Sequence, residues 1–356
     1  SPSQQVHYLA IALNQPIIAR RLSLGAVILL PVTHMQQQTP FFADEREQYF
    51  SNSLHYELYE DRYQTQTISG GLAFSPVENL SLGLGAVMSM ATRAVSALYM
   101  PDATEQDNFH IAPSVEIAPA LNLYFGAAWR PASRWTTTLS IRLPEKMTTT
   151  MKTKMSFFMD EETGLAGEGE EFTLVYGYLP LRATLGAHYA SERWESAVTL
   201  GYQRWSQYIN RMGERPYIPW YDTLSIAAHG GIISRVGTLG IDLKYQPSPV
   251  PDQPGRENYV DADRLSLALS FSRPFLLLGR KMALTLTMQY HHLVSRSISK
   301  NLLRAGAVFD EYPLSADAES GNIIPASVGL QTNNPGYPGY SHEGGIFAGS
   351  IMLTLY

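Results

Sequence analysis

The 356-residue chain has no cysteine, no long apolar run and no surplus of basic residues, and each absence closes a class of function. Without thiols there is neither a disulfide framework nor thiolate chemistry. The longest apolar stretch, Gly25 to Val32, falls far short of the roughly 20 residues a spanning helix needs. A membrane reading must therefore be a barrel reading, because an open sheet leaves its edge groups unsatisfied in lipid. The formal net charge is −6, which leaves no basic excess to neutralise phosphates, so no nucleic-acid partner is expected. There is no G-x-S-x-G elbow and no glycine loop between a strand and a helix, so neither a hydrolase nucleophile nor a phosphate cradle is indicated. His291 and His292 are adjacent; on a strand they point to opposite faces. With no third patterned ligand, no metal and no cofactor is expected. No signal peptide is visible at Ser1, which reads as a processed or truncated start.

What is present is period-two patterning. Leu80, Leu82, Leu84, Ala86, Met88 and Met90 fall on one face of an extended segment; Ser81, Gly83, Gly85 and Ser89 fall on the other, with Val87 the exception. The same texture recurs along most of the chain. Each apolar row is backed by Ser, Thr, Gly, Tyr or a charge, as a sheet with an oily outside and a wet inside requires. The 21 tyrosines are enough for aromatic girdles at two interfaces. These features predict an all-β fold: a transmembrane antiparallel up-and-down β-barrel of about 14 strands, forming one domain over 1–356.

Strands are predicted at 5–14, 20–33, 63–75, 80–100, 113–131, 135–157, 171–191, 194–208, 222–234, 238–247, 263–275, 282–299 and 344–356. Tight connectors, such as Pro76-Val77-Glu78-Asn79, Ala132-Ser133-Arg134 and Arg235-Val236-Gly237, alternate with long polar excursions at 34–62, 101–112, 158–170, 209–221, 248–262 and 300–343. Short turns on one rim and long loops on the other are the habit of bacterial barrels. The count of about thirteen is odd where single-chain barrels are even, and the first connector, 14–19, is short. Both features favour a strand preceding Ser1. The final strand ends on the aromatic Tyr356, with Ser350 and Thr354 interrupting its expected outward row.

Two segments carry a family likeness. Tyr245-Gln246-Pro247-Ser248-Pro249-Val250-Pro251-Asp252, followed by Asp261-Ala262-Asp263-Arg264, and Leu200-Gly201-Tyr202-Gln203-Arg204-Trp205-Ser206-Gln207 resemble the FadL family of long-chain fatty acid and hydrocarbon transporters. Gly126-Ala127-Ala128-Trp129-Arg130-Pro131 with Leu139-Ser140-Ile141-Arg142 resembles that family's central hairpin, and the turn order fits from Val6 to Tyr356. The resemblance implies a multi-pass protein of the bacterial outer membrane. It implies passive uptake of hydrophobic small molecules, long-chain fatty acids first among them, with lateral release into outer-membrane lipid and no catalysis. The family's N-terminal plug and first strand have no counterpart here, so a separate plug or complex subunit is a candidate partner.

Pro31 follows the run Gly25 to Leu30, and proline is confined to strand ends, edges and bulges. Either it marks the lateral gap that the family's third strand implies, or the strand simply ends there. Ser248, Pro249, Val250, Pro251, Asp252, Asp261, Asp263 and Arg264 form either a ligand gate or a loop stiffened by prolines and local ion and turn contacts. Lys146, Lys152 and Lys154 share a face opposite Met147, Met151, Met155 and Phe157. They are candidates to draw in a carboxylate head group, or merely the wet face near the outer rim. Arg142, alternating with Leu139, Ile141 and Leu143, is a further lumen candidate, because a charge on the lipid face at mid-depth costs a few kcal/mol. Two rivals to transport stand beside it: a structural partner in an outer-membrane secretion or surface complex, and a barrel enzyme.

Overall fold

The computed structural model describes residues 7–31, 66–89, 92–95, 98–101, 108–117, 119–158, 165–166, 170–210, 213–254, 257, 259–277, 279–300 and 339–356. Its strands are β1 (Tyr8–Ile18), β2 (Leu22–Pro31), β3 (Thr67–Val77), β4 (Leu80–Ser89), β5 (Thr92–Val95), β6 (Leu98–Pro101), β7 (Asn108–Ile117), β8 (Ala120–Ala132), β9 (Trp135–Arg142) and β10 (Glu145–Phe158). They continue as β11 (Leu165–Ala166), β12 (Glu170–Leu179), β13 (Arg182–Ala190), β14 (Trp194–Gln203), β15 (Thr223–Ile233), β16 (Thr238–Gln246), β17 (Arg264–Leu277), β18 (Arg280–Ser299) and β19 (Gly339–Leu355). One 3-10 turn, Trp205–Gln207, follows β14.

The fold is all-β and antiparallel, with up-and-down order. Thirteen strands form one sheet in the sequence β1-β2-β3-β4-β8-β9-β13-β14-β15-β16-β17-β18-β19. The thirteen strands read from the patterning correspond to these one for one. β1 and β19 both run toward the short-turn rim. Among the described residues neither has a partner on its outer edge.

The patterning assigns the faces correctly. Gly85 of β4 stands opposite Gly71 of β3 and Tyr124 of β8, while Leu84 stands opposite Leu72 and Phe125. Leu84 is 54% exposed, and Leu82 and Met88 of its row are exposed too; the Ser/Gly row is more enclosed. The polar row therefore lines the concave side. Outside, Trp129, Trp135 and Trp194 stand near the short turns, and Trp135, Tyr189 and Trp194 form a ring contact series at 5.1 and 4.8 Å. Tyr202 lies on the same outward row as Trp194, eight positions along β14. That is roughly 27 Å of strand, which tilt reduces to about the height of an apolar band between two aromatic girdles.

Four predicted strands are each interrupted, and one break in each lies beside the others. They fall at Ser89/Thr92, Ile117/Ala120, Arg142/Glu145 and Leu179/Arg182. Pro119, Pro144 and Pro180 occupy three of them. Proline cannot donate to the ladder, so neighbouring prolines at one level end the sheet there. Beyond the break the same strands pair again as a six-stranded sheet of β5, β6, β7, β10, β11 and β12.

The other departures are local. β1 runs on to Ile18, through the turn expected at 14–19; Pro16 is accommodated because β1 is an edge strand with a register shift at Pro16/Ile18. β19 starts at Gly339 rather than 344, and its outward row is Phe347, Ile351, Leu353 and Leu355. Ser350 and Thr354 face inward, so they do not interrupt the apolar row as the sequence reading expected. The expected loops at 34–62 and 300–343, apart from residues 300 and 339–343, lie outside the described residues.

Candidate ligand-binding site

The concave face carries its cations toward the long-loop rim. Arg142 of β9 and Arg182 of β13 are register partners, and Arg182 stands opposite Gln203 of β14. Lys244 of β16 faces Ser266 of β17, two positions from Arg264, which pairs with Gln246. Lys244 donates to Gln246 Oε1 at 2.9 Å. An acid meets this row: Glu145, 4% exposed, accepts from Arg142 at 3.0 Å and from Ser89 Oγ at 3.2 Å. Asn122, 1% exposed, donates to Leu143 O at 2.7 Å beside it. The Arg182 side chain has neither a hydrogen bond nor an ion pair among the described residues.

Nearer the short turns the concave face changes character. His229 Nδ1 lies 2.8 Å from Asp242 Oδ1, Glu195 Oε1 lies 3.6 Å from His229 Nε2, and Glu195 Oε2 lies 3.7 Å from His188 Nε2. Two imidazoles and two carboxylates thus alternate across β13 to β16. Two further inward pairs join neighbouring strands, Ser266 with His291 and Ser272 with Thr285. The concave wall is polar, with its described positive charge concentrated toward the long-loop rim.

A structured cap stands at that rim. Tyr178, Trp205, Tyr208, Trp220, Val250 and Tyr259 form its buried core, with the Tyr208 and Trp220 rings stacked at 3.7 Å. Asp222 ties the cap to the wall by accepting from Tyr202 Oη at 2.6 Å and Ser206 N at 2.8 Å. Desolvation works to raise the Asp222 carboxyl, but these bonds and the nearby Arg204 outweigh it and hold it below its ordinary value.

The motif loop is the other half of this cap. Ser248 N donates to Asp263 at 2.8 Å and Ser248 Oγ to Asp261 at 2.7 Å. Pro249 O accepts from Tyr221 N at 2.8 Å, which joins the two cap loops, while Val250 and Pro251 are buried. Arg296 donates to Asp252 at 2.9 Å and to Asp261 O at 3.3 Å. Gln253 accepts from Tyr259 N and donates back to Tyr259 O. Lys300 donates to Gln253 O at 3.0 Å and Glu257 O at 2.6 Å. The loop is thus held by turn and ion contacts, whereas Arg264 opens β17 on the concave row.

The other candidates are placed as follows. Lys146 and Lys152 are exposed on β10, which belongs to the six-stranded sheet and not to the wall that carries Arg142. The Lys154 side chain lies outside the described residues. Pro31 is buried at the end of β2 opposite Tyr8, two positions beyond the last residue paired with β3. Sequence reasoning missed Arg182, Arg296, Lys300 and Gln253. For Arg182 a signal existed, since it follows the break proline by two residues as Arg142 precedes one by two.

No protein-family model and no curated protein matches the chain. Three solved structures similar to it are "CymD monoaromatic hydrocarbon channel", the P. putida toluene transporter TodX and the Ralstonia pickettii toluene transporter TbuX, each at 10% identity and TM-score 0.44. The match covers 80%, 82% and 81% of this chain and 82%, 77% and 76% of theirs, in that order. Similarity of this degree decides nothing about function, which rests on the chain's own residues.

Proposed function

We propose that the protein is an outer-membrane β-barrel for passive uptake of hydrophobic small molecules that carry an acidic head, long-chain fatty acids foremost. The observation that carries this reading is the division of the sheet. Its convex face is an apolar band between aromatic rows, and its concave face is polar with Arg142, Arg182, Lys244 and Arg264 near the entrance. Lipid tolerates the first face, and water and an anionic head group favour the second. The guanidinium of Arg182, with no acid paired to it among the described residues, is the natural contact for a carboxylate. No bond is made or broken in such a passage, so the chain needs no catalytic group. Pro31, at the wall's margin, supports release sideways into the bilayer.

The test is binding by the protein in detergent micelles and uptake into liposomes. A fluorescent long-chain fatty acid is expected to bind, and Arg182→Gln to weaken it roughly tenfold, while a neutral aromatic hydrocarbon is unaffected by that change. Equal loss for both ligands, or none for either, would remove the carboxylate from the proposal. A chain that stays folded and monomeric without detergent would remove the membrane.

A further inference from the structure

The chain is acidic overall, yet its short-turn rim is strongly basic. Arg20, Arg21, Arg134, Arg193 and Arg235 stand in the short turns, and Arg280 and Lys281 open the strand that leaves the last one. The same turns hold two acids, Glu78 and Glu192. Among the described residues none of these cations forms an ion pair. With a net charge of −6 for the whole sequence, so one-sided a rim is a placement and not a by-product of composition.

Just above this rim the convex face holds a groove of about 390 Å³ lined by Phe271, Arg273, Phe275, Leu284 and Leu286. Register fixes its direction: Phe271 pairs with Leu286 and Arg273 with Leu284, on the same row as the outward Leu269. Arg273 therefore lies on the outside of the wall, four positions from the end of β17, exposed and without an ion pair among the described residues. An unneutralised guanidinium between two half-buried phenylalanines sits badly in hydrocarbon. It sits well where its stem lies on apolar rings and its head reaches a phosphate.

We infer that the short-turn rim is a docking surface for anionic phospholipid of the leaflet it meets, with Arg273 holding one lipid by its phosphate. The groove of Phe271, Phe275, Leu284 and Leu286 takes the acyl chain of that lipid. The arginines of the turns contact the head groups around it. This inference rests on the membrane reading above and adds the lipid class and the contacting residues.

The test is native mass spectrometry and lipid-retention assays on the full chain reconstituted in vesicles of phosphatidylcholine mixed with phosphatidylglycerol. Phosphatidylglycerol is expected to be retained preferentially. Arg273→Gln is expected to lower that preference about fivefold at low salt, and Arg235→Gln to lower it less; both effects are expected to shrink at high salt. Equal retention of the two lipids by the parent protein overturns the inference, as does a preference that neither variant changes. In both cases an acidic partner protein becomes the better occupant of the rim. Failure to insert into either lipid instead overturns the membrane reading itself, so the two failures are distinguishable.

Discussion

Tyr124 lies flat across Gly85: a Cβ at that glycine would stand 2.1 Å from the ring's Cζ. The phenol continues past Gly71, and its hydroxyl donates to Gly70 O at 3.3 Å. One ring thus spans β8, β4 and β3 on the concave face, in space that only hydrogen side chains leave open. Gly85→Ala is expected to expel the ring and cost about 1–3 kcal/mol in stability. Tyr124→Ala in the same chain is expected to remove most of that additional cost. Thermal unfolding of the two single variants and the double variant, taken as a cycle, measures the coupling. Additive losses would mean that the ring and the glycine do not constrain one another.

Arg142 and Glu145 predict an asymmetry between their substitutions. Glu145 is almost fully enclosed, while the Arg142 side chain is 34% exposed. Arg142→Ala strands a buried carboxylate and is expected to cost several kcal/mol, near the roughly 3–5 typical of a broken buried pair. Glu145→Gln keeps the shape and the contact with Ser89 and is expected to cost less. Chemical denaturation in a lipid-like detergent ranks the two, and the reverse order would deny that Glu145 is the more enclosed partner.

Lys300 gives the cap a pH dependence with a definite sign. Burial lowers its ammonium from 10.5 to about 8, against the opposing pull of Glu257. Between about pH 8 and 10.5 the closed cap therefore holds fewer protons than the opened loops do. Closure is expected to strengthen as pH rises through that window, and the cost of burying the charge is fully present below it. Limited proteolysis of the 247–262 segment is expected to slow from pH 7.5 to 9.5, relative to Lys300→Met measured at each pH. Identical pH profiles for parent and variant would show that Lys300 is not the responsible group.

Gln253 is the cap's internal clamp, since its one amide satisfies both the N–H and the C=O of Tyr259 while fully buried. Gln253→Leu removes the amide's bonds to the Tyr259 N–H and C=O, leaving the carbonyl with the Tyr340 hydroxyl, 3.1 Å away, and is expected to cost about 1–3 kcal/mol of local stability. Hydrogen exchange at Tyr259 and its neighbours is expected to accelerate, with exchange in β14 to β17 unchanged. Uniform acceleration across the sheet would mean that the cap and the wall unfold as one unit.

The wall was legible in the sequence because a strand's faces alternate strictly, and a slip of one position would turn every apolar side chain inward. The rows of β4, β14 and β17 could be read for that reason. The breaks at Pro119, Pro144 and Pro180 were not, because alternation continues on both sides of each proline and the period alone does not record a change of sheet. Arg142 was recognisable as an inward charge, whereas its partner Arg182 depends on register between separated strands. Lys146 and Lys152 were placed with Arg142 by parity along one long strand, and the break removes that continuity. The cap's anchors were hidden for another reason: Arg296 reaches Asp252 across 44 residues and Lys300 reaches Gln253 across 47, and no local pattern encodes such a meeting.

The aligned prolines have a consequence for how this architecture can change. The ladder is severed at one level in adjoining strands, and among the described residues cross-links such as Asn122 to Leu143 and Ser89 to Glu145 span the seam between wall and six-stranded crown. Insertions, deletions or exchange of the crown can then be absorbed at the seam without shifting the pairing below it. A molecule built this way can refashion its crown while the thirteen-stranded sheet keeps its pairing.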